Sequence, residues 1–400
     1  MKFPSLRING LHLVLLIALI LSACNTEKSS EADTVDDIIA SIKEKYAPDK
    51  RIALFDVESE KNTAGYIIKG KTNLPEALNA LEMELESQQI TYTDSIEVLP
   101  ATDLEGEIYG VITNSVANIR SQPSHSSELV TQATLGMPLN VYQKDDNWYQ
   151  IQTPDKYLGW VDSGGIKLKD KTAFDAWQSS EKLIYTKIYG NSYTDSDISS
   201  QVVSDLVAGS ILSKVSEESS FYRVTYPDGR EGFVLKSEAA LFQNWKSSLD
   251  FSRESLVQTS KSMLGIPYLW GGTSIKGVDC SGFTKTVYFM NGMIIPRDAS
   301  QQINEGILID DSKQFDKLIP GDLLFFGRKA IDSSRERVVH VGMWIGNNEF
   351  IHSSGKVRIS SMDKQADNFD EYNYNRYLRT KRILNETDEG LIYLTKSDVF

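Results

Sequence analysis

With Cys24 close to the N-terminus set aside, Cys280 is the chain's one other thiol, and only two histidines, His340 and His352, follow it. Phe283, Val287 and Met290 recur at helical spacing after Cys280 and Gly292 ends the run, so the thiol is expected in the first turn of a helix. Unpaired N–H groups and the positive end of the helix dipole at that place are expected to favour a thiolate over a thiol. The same N–H groups can accept an oxyanion. A cysteine so placed, with an imidazole to take its proton, performs nucleophilic acyl transfer.

Both histidines fall on predicted strands. Residues 337–345 and 349–353 alternate or run apolar on either side of Gly346-Asn347-Asn348, a turn cluster suited to a hairpin. A register centred on Asn347 puts His352 opposite Gly342 and diagonal to His340 on the same face. Gly342 leaves room for His352 to lean towards His340 and hold its tautomer, the part that an Asn or Asp plays in other triads.

The elements that carry these residues belong to the last third of a chain of 400 residues, too long for one ordinary core. Hydrophobic content of 40% and charged content of 24% suit folded domains. Residues 1–23 read as a secretion signal: Lys2 and Arg7 precede an apolar run at 11–21 that is too short to span a bilayer. Its end, Leu21-Ser22-Ala23-Cys24, resembles the lipobox of bacterial lipoproteins, which implies lipidation of Cys24, and 24–34 reads as a polar tether. Export would leave Cys280 unpaired in an oxidising compartment, a liability unless its reactivity is used. Loss of Lys2 and Arg7 lowers the formal charge by two, from −13 to −15, which argues against nucleic acid as a partner. No H-E-x-x-H or C-x-x-C occurs, so neither metal nor other cofactor is expected.

Residues 35–100 read as a small α/β domain of order α-β-β-α-β, to which no chemistry is assigned. Residues 105–168 change to short alternating segments punctuated by Gly, Pro, Asn and Asp. The pieces Asn118-Ile119-Arg120-Ser121-Gln122-Pro123, Trp148-Tyr149-Gln150-Ile151 and Gly159-Trp160-Val161 resemble a bacterial SH3 domain. A looser copy occupies 172–245: Phe221 follows Trp148, and Phe233 follows Trp160, by the same 73 residues, as in an internal duplication. Trp148 and Trp160 are expected to fill the barrel core. Residues 249–385 form the catalytic domain and 386–400 a C-terminal tail.

Gly265-Ile266-Pro267-Tyr268-Leu269-Trp270-Gly271-Gly272, Asp279-Cys280-Ser281-Gly282-Phe283 and His340-Val341-Gly342-Met343 resemble the NlpC family of papain-like cell-wall cysteine peptidases. The resemblance implies an α+β fold, with helices packed on an antiparallel sheet. It implies Cys280 as nucleophile, His340 as base, His352 as the residue orienting it, and Tyr268 with the Cys280 N–H as oxyanion donors. Family members cut wall peptides, typically between γ-D-glutamate and a diamino acid. Two SH3-like modules ahead of the catalytic domain look like the YkfC-type subgroup, which acts on peptides with a free N-terminal L-Ala. Pro296-Arg297-Asp298 matches that subgroup, implying that Asp298 binds the substrate amine with Asp279 and Ser281 nearby. Glu128 and Tyr157 are expected as the first module's acid and aromatic. The implied partners are muropeptides and, through Cys24, a membrane, with the chain a monomer; the lipid would face the periplasm from the outer membrane in a host with two membranes.

Plainer readings stand beside these. Asp298 precedes Ala299-Ser300-Gln301-Gln302-Ile303 and would also serve as a helix N-cap. The chief rival function is a wall-binding lipoprotein that uses its SH3-like modules and carries an inactive peptidase domain. The joint presence of Cys280, His340 and His352 speaks against it. A papain-like thiol could also transfer an acyl group to an acceptor other than water.

Overall fold

The computed structural model of the protein describes residues 31–331 and 335–400; the expected signal peptide and Cys24 lie outside the described residues. In the N-terminal domain the helices Glu31–Tyr46 and Pro75–Ser87 accompany three strands, Phe55–Asn62, Gly65–Thr72 and Tyr92–Val98. The first pair is antiparallel and the second parallel. Val35, Ile38 and Ile39 from one helix and Leu81 and Leu85 from the other close on Phe55 and Ile68, because their helical spacing gives each helix one apolar face.

Two seven-stranded antiparallel sheets follow. Numbered within each sheet by chain order, the strands of both run 7-1-4-5-6-2-3, a shared path that agrees with the repeat of 73 residues. Trp148 is buried in the first module. Trp160 departs from expectation: it is only half-buried, and it lines a cleft rather than the core.

The third body is α+β. Six antiparallel strands lie in the order Ile307–Asp310, Tyr377–Arg382, Leu323–Arg328, Arg337–Gly346, Glu349–Ser354 and Lys356–Ser361. Against the sheet packs the helix Cys280–Met290, and the helix Arg253–Ser262 packs in turn on that helix. Leu256, Phe283, Val287, Leu323, Phe325, Val341 and Ile351 form its fully buried core. Residues 386–400, expected as a tail, instead dock: Ile392–Tyr393 pairs with Met293–Ile294, and the Phe400 ring packs on Phe242 and Phe289. The catalytic loop presses closely on the first SH3-like module. At Gly271 (φ +78°) a Cβ would stand 2.1 Å from the Leu129 carbonyl oxygen, so both the conformation and the space there require glycine.

Candidate active site

Cys280 is the first residue of its helix, and Asp279 caps it by accepting the Gly282 N–H at 2.7 Å. The thiol sulfur accepts backbone N–H groups from Ser281, in the same turn, and from Val341, the strand residue next to His340. Helix start and histidine strand therefore meet at the sulfur. The ionisation expected from the sequence is reversed, however. Burial, followed by the Asp279 carboxylate, pushes the thiol up to about 12, outweighing the two N–H bonds that favour the anion. Burial therefore works against the thiolate, and nucleophilic attack by this sulfur calls for a base to take its proton.

The hairpin carries His340, the expected base. Asn347 and Asn348 both adopt positive φ (53° and 58°), making the tight turn, and Met343 pairs with Ile351 and Trp344 with Phe350. This is the register that sets His352 across from Gly342. A Cβ on Gly342 would lie 2.7 Å from the Phe350 ring and 3.1 Å from the His352 Cβ, so the glycine keeps that space open. His340 Nε2 and His352 Nδ1 are 2.7 Å apart, and His352 Nε2 lies 3.0 Å from Ser360 Oγ and 3.8 Å from Asp370 Oδ2. Burial holds His340 well below the usual imidazole range and His352 down to about 4, the latter against an opposing pull from Asp370. With His352 neutral and its proton on Nε2 towards Ser360, its Nδ1 accepts from His340 Nε2–H. That leaves His340 Nδ1 unprotonated.

Arg297, which sequence reasoning left without a role, is buried at the centre of the site, with 1% of its surface exposed. Its Nη2 donates to Asp279 Oδ2 at 2.6 Å, its Nη1 to Asp279 Oδ1 at 3.1 Å and Ser281 Oγ at 3.0 Å, and its Nε to Thr131 Oγ1 of the first SH3-like module at 3.1 Å. One guanidinium thus fixes both neighbours of the nucleophile. The fork compensates the Asp279 charge where solvent cannot. A charged residue directly after Ile294-Ile295-Pro296 was the available signal.

A cleft of about 880 Å³ opens over Cys280. Tyr268, Asp279, Ser281 and Asp298 of the catalytic domain line it together with Glu128 and Tyr157 of the first module, while His340 and His352 lie buried behind its wall. Tyr268 is pushed up to about 12, chiefly by burial and then by Cys280, so its hydroxyl stays protonated and can donate. Asp298 sits at the N-cap position, where its carbonyl accepts Gln301 N–H and Gln302 N–H, but its carboxylate turns to the cleft. Oδ2 accepts the Tyr157 hydroxyl at 3.0 Å and Arg51 Nη1 at 2.7 Å. Glu128 Oε1 accepts Trp270 Nε1–H at 2.7 Å. All the expected site residues among those described therefore converge. Arg51 and Asp49, from the N-terminal domain, join them without any spacing or motif that would have marked them.

A thiol at a helix start, set against a strand histidine that a second ring backs, defines a papain-like cysteine peptidase. A family model described as "NlpC/P60 family" matches residues 265–374, one described as "Bacterial SH3 domain" matches 115–167, and the chain belongs to the NlpC/P60 family. A curated "Gamma-D-glutamyl-L-lysine dipeptidyl-peptidase" of Bacillus cereus is 30% identical over 238 residues, 58% of this chain and 68% of that one. "Dipeptidyl-peptidase 6" of Lysinibacillus sphaericus is 29% identical over 265 residues, 64% of this chain and 92% of that one. A solved NlpC/P60 family protein from Bacillus cereus shares the fold at a TM-score of 0.58 and 24% identity, covering 69% of this chain and 99% of its own. An NlpC/P60 endopeptidase from Photobacterium damselae does so at 0.52 and 16% identity, covering 91% and 93%.

Proposed function

We propose that this chain hydrolyses the bond between γ-D-glutamate and an L-diamino acid in bacterial wall peptides that begin with a free L-Ala. The observation that carries this reading is the position of Asp298 and Glu128, two carboxylates in one cleft with the Cys280 thiol. They suit an ammonium group, and the names of the relatives supply the bond. Asp279 and Ser281 line the substrate's path beside the nucleophile.

In this mechanism His340 Nδ1 takes the thiol proton as the sulfur attacks the γ-carbonyl carbon. The Cys280 N–H, at a helix start where no earlier turn supplies a carbonyl, and the Tyr268 hydroxyl hold the oxyanion. The C–N bond then breaks and His340 passes its proton to the leaving amine, so a thioester remains. Water attacks that thioester, giving a proton to His340, and the C–S bond breaks to release L-Ala-γ-D-Glu and restore the thiol. His352 keeps the His340 ring in place throughout. The protein acts as an exported monomer in the cell envelope, held by lipid on Cys24, in an outer membrane where the host has one.

The test is mass spectrometry of products from defined wall peptides, free and glycan-linked. Release of L-Ala-γ-D-Glu from free peptides is expected of the wild type, and none of a folded Cys280→Ala variant. A variant that kept the rate would remove Cys280 as nucleophile.

A further inference from the structure

The N-terminal domain brings Arg51 against the carboxylate assigned above to the substrate's amine. Arg51 Nη1 donates to Asp298 Oδ2 at 2.7 Å and to Ser300 Oγ at 2.9 Å. The rest of its guanidinium is forked onto Asp49: Nε reaches Oδ1 at 2.8 Å and Nη2 reaches Oδ2 at 2.6 Å. Gln301 Nε2 in turn donates to Asp49 Oδ2 at 2.9 Å, and the Arg51 carbonyl accepts the Leu158 N–H of the first SH3-like module at 2.7 Å. Three domains hold this one residue.

We propose that Arg51 is a positioning residue for the substrate's N-terminus, and hence that the N-terminal domain completes the specificity site. The proposal rests on the amine reading of the cleft. Arg51 and the Tyr157 hydroxyl both bind Asp298 Oδ2, which fixes the plane of the carboxylate and leaves Oδ1, 3.9 Å from Arg297 Nη1, as the oxygen that meets the ammonium. A side chain held in this way loses little further freedom when a ligand arrives, the usual gain from preorganisation.

A guanidinium beside the subsite would repel an ammonium if its charge stood alone, but it does not. Asp49 compensates Arg51 and Asp279 compensates Arg297, each through a two-bond fork. Asp298 and Glu128 are left, so these six groups, four carboxylates and two guanidiniums, carry a net charge of two negative. The other charged residues lining the cleft, Lys43, Lys50, Arg337 and Asp56, are exposed, where solvent screens them. The subsite thus gains rigidity from Arg51 while keeping its attraction for a cation.

The experiment compares the full-length wild type, Arg51→Ala and Arg51→Lys on L-Ala-γ-D-Glu-L-Lys, or its diaminopimelate counterpart, with the amine free or acetylated. Wild type is expected to favour the free peptide by about tenfold or more in kcat/KM. Arg51→Ala should lose most of that ratio through a higher KM for the free peptide, with kcat little changed and the same melting temperature. Arg51→Lys, which keeps a charge for Asp298 but not the fork onto Asp49, should fall between them, and it carries the comparison if the alanine variant melts early. A wild type with no preference overturns the amine reading and this inference together. A wild type that discriminates while both variants discriminate equally well overturns this inference alone. So does a faster Arg51→Ala on the free peptide, which would make Arg51 a competitor of the ammonium.

Discussion

His340 Nε2 and His352 Nδ1 lie 2.7 Å apart across adjacent strands, with their ring planes inclined at 78°. In the proposed triad an imidazole stands where a carboxylate or amide stands in others, and the difference is electrostatic. A neutral ring orients His340 without adding an anion behind it, so nothing in that bond holds a proton on the base at rest.

Replacing His352 should therefore act through the orientation of His340. Its side chain is fully buried, and His352→Ala would leave His340 Nε2 without its hydrogen-bond partner. A loss on the order of 10²-fold in kcat is expected, with about 1–3 kcal/mol of stability. His352→Asn, which still presents an oxygen, should keep more of both. Steady-state kinetics and urea denaturation of the two variants measure this.

Acid should destabilise the protein through the same pair. His352 titrates near 4 in the folded state, against an ordinary 6.5, so between those values the unfolded chain binds more protons. Stability contributed by the neutral ring is complete above pH 6.5 and declines as pH falls towards 4, by roughly 3 kcal/mol for this residue. His340 acts in the same direction. Denaturant midpoints from pH 7 down to 4 should fall, and His352→Asn should flatten the slope.

Arg297 is expected to tolerate no replacement. Arg297→Leu would strand the Asp279 carboxylate in the interior beside the nucleophile, at a cost of about 3–5 kcal/mol. Arg297→Lys keeps the charge, but one ammonium cannot reproduce four bonds spread over Asp279, Ser281 and Thr131. Both variants should unfold at lower denaturant concentration than Arg51→Ala, whose guanidinium is partly solvated.

What could be read from the sequence follows the range of the interactions. The histidine hairpin was legible because Asn347 and Asn348 impose a tight turn, and a two-residue period then settles which side chains share a face. The helix start at Cys280 was equally local. Its ionisation was misjudged because the helix dipole is visible in the sequence, whereas burial depends on what the fold lays over the thiol. Trp160 was assigned to the core from its type alone, and only the packing of the catalytic domain makes its surroundings a cleft wall. Arg51 could not be found at all, since its partner Asp298 is 247 positions away and no local pattern anticipates the meeting.

That separation has a consequence for how the protein becomes competent. A contact spanning most of the chain closes a very long loop, and such contacts form late, after the modules they join have folded locally. The thiol and its histidines belong to one module and can assemble early, whereas the Arg51 bridge waits for the remote module to dock. During maturation, reactivity should thus precede selectivity.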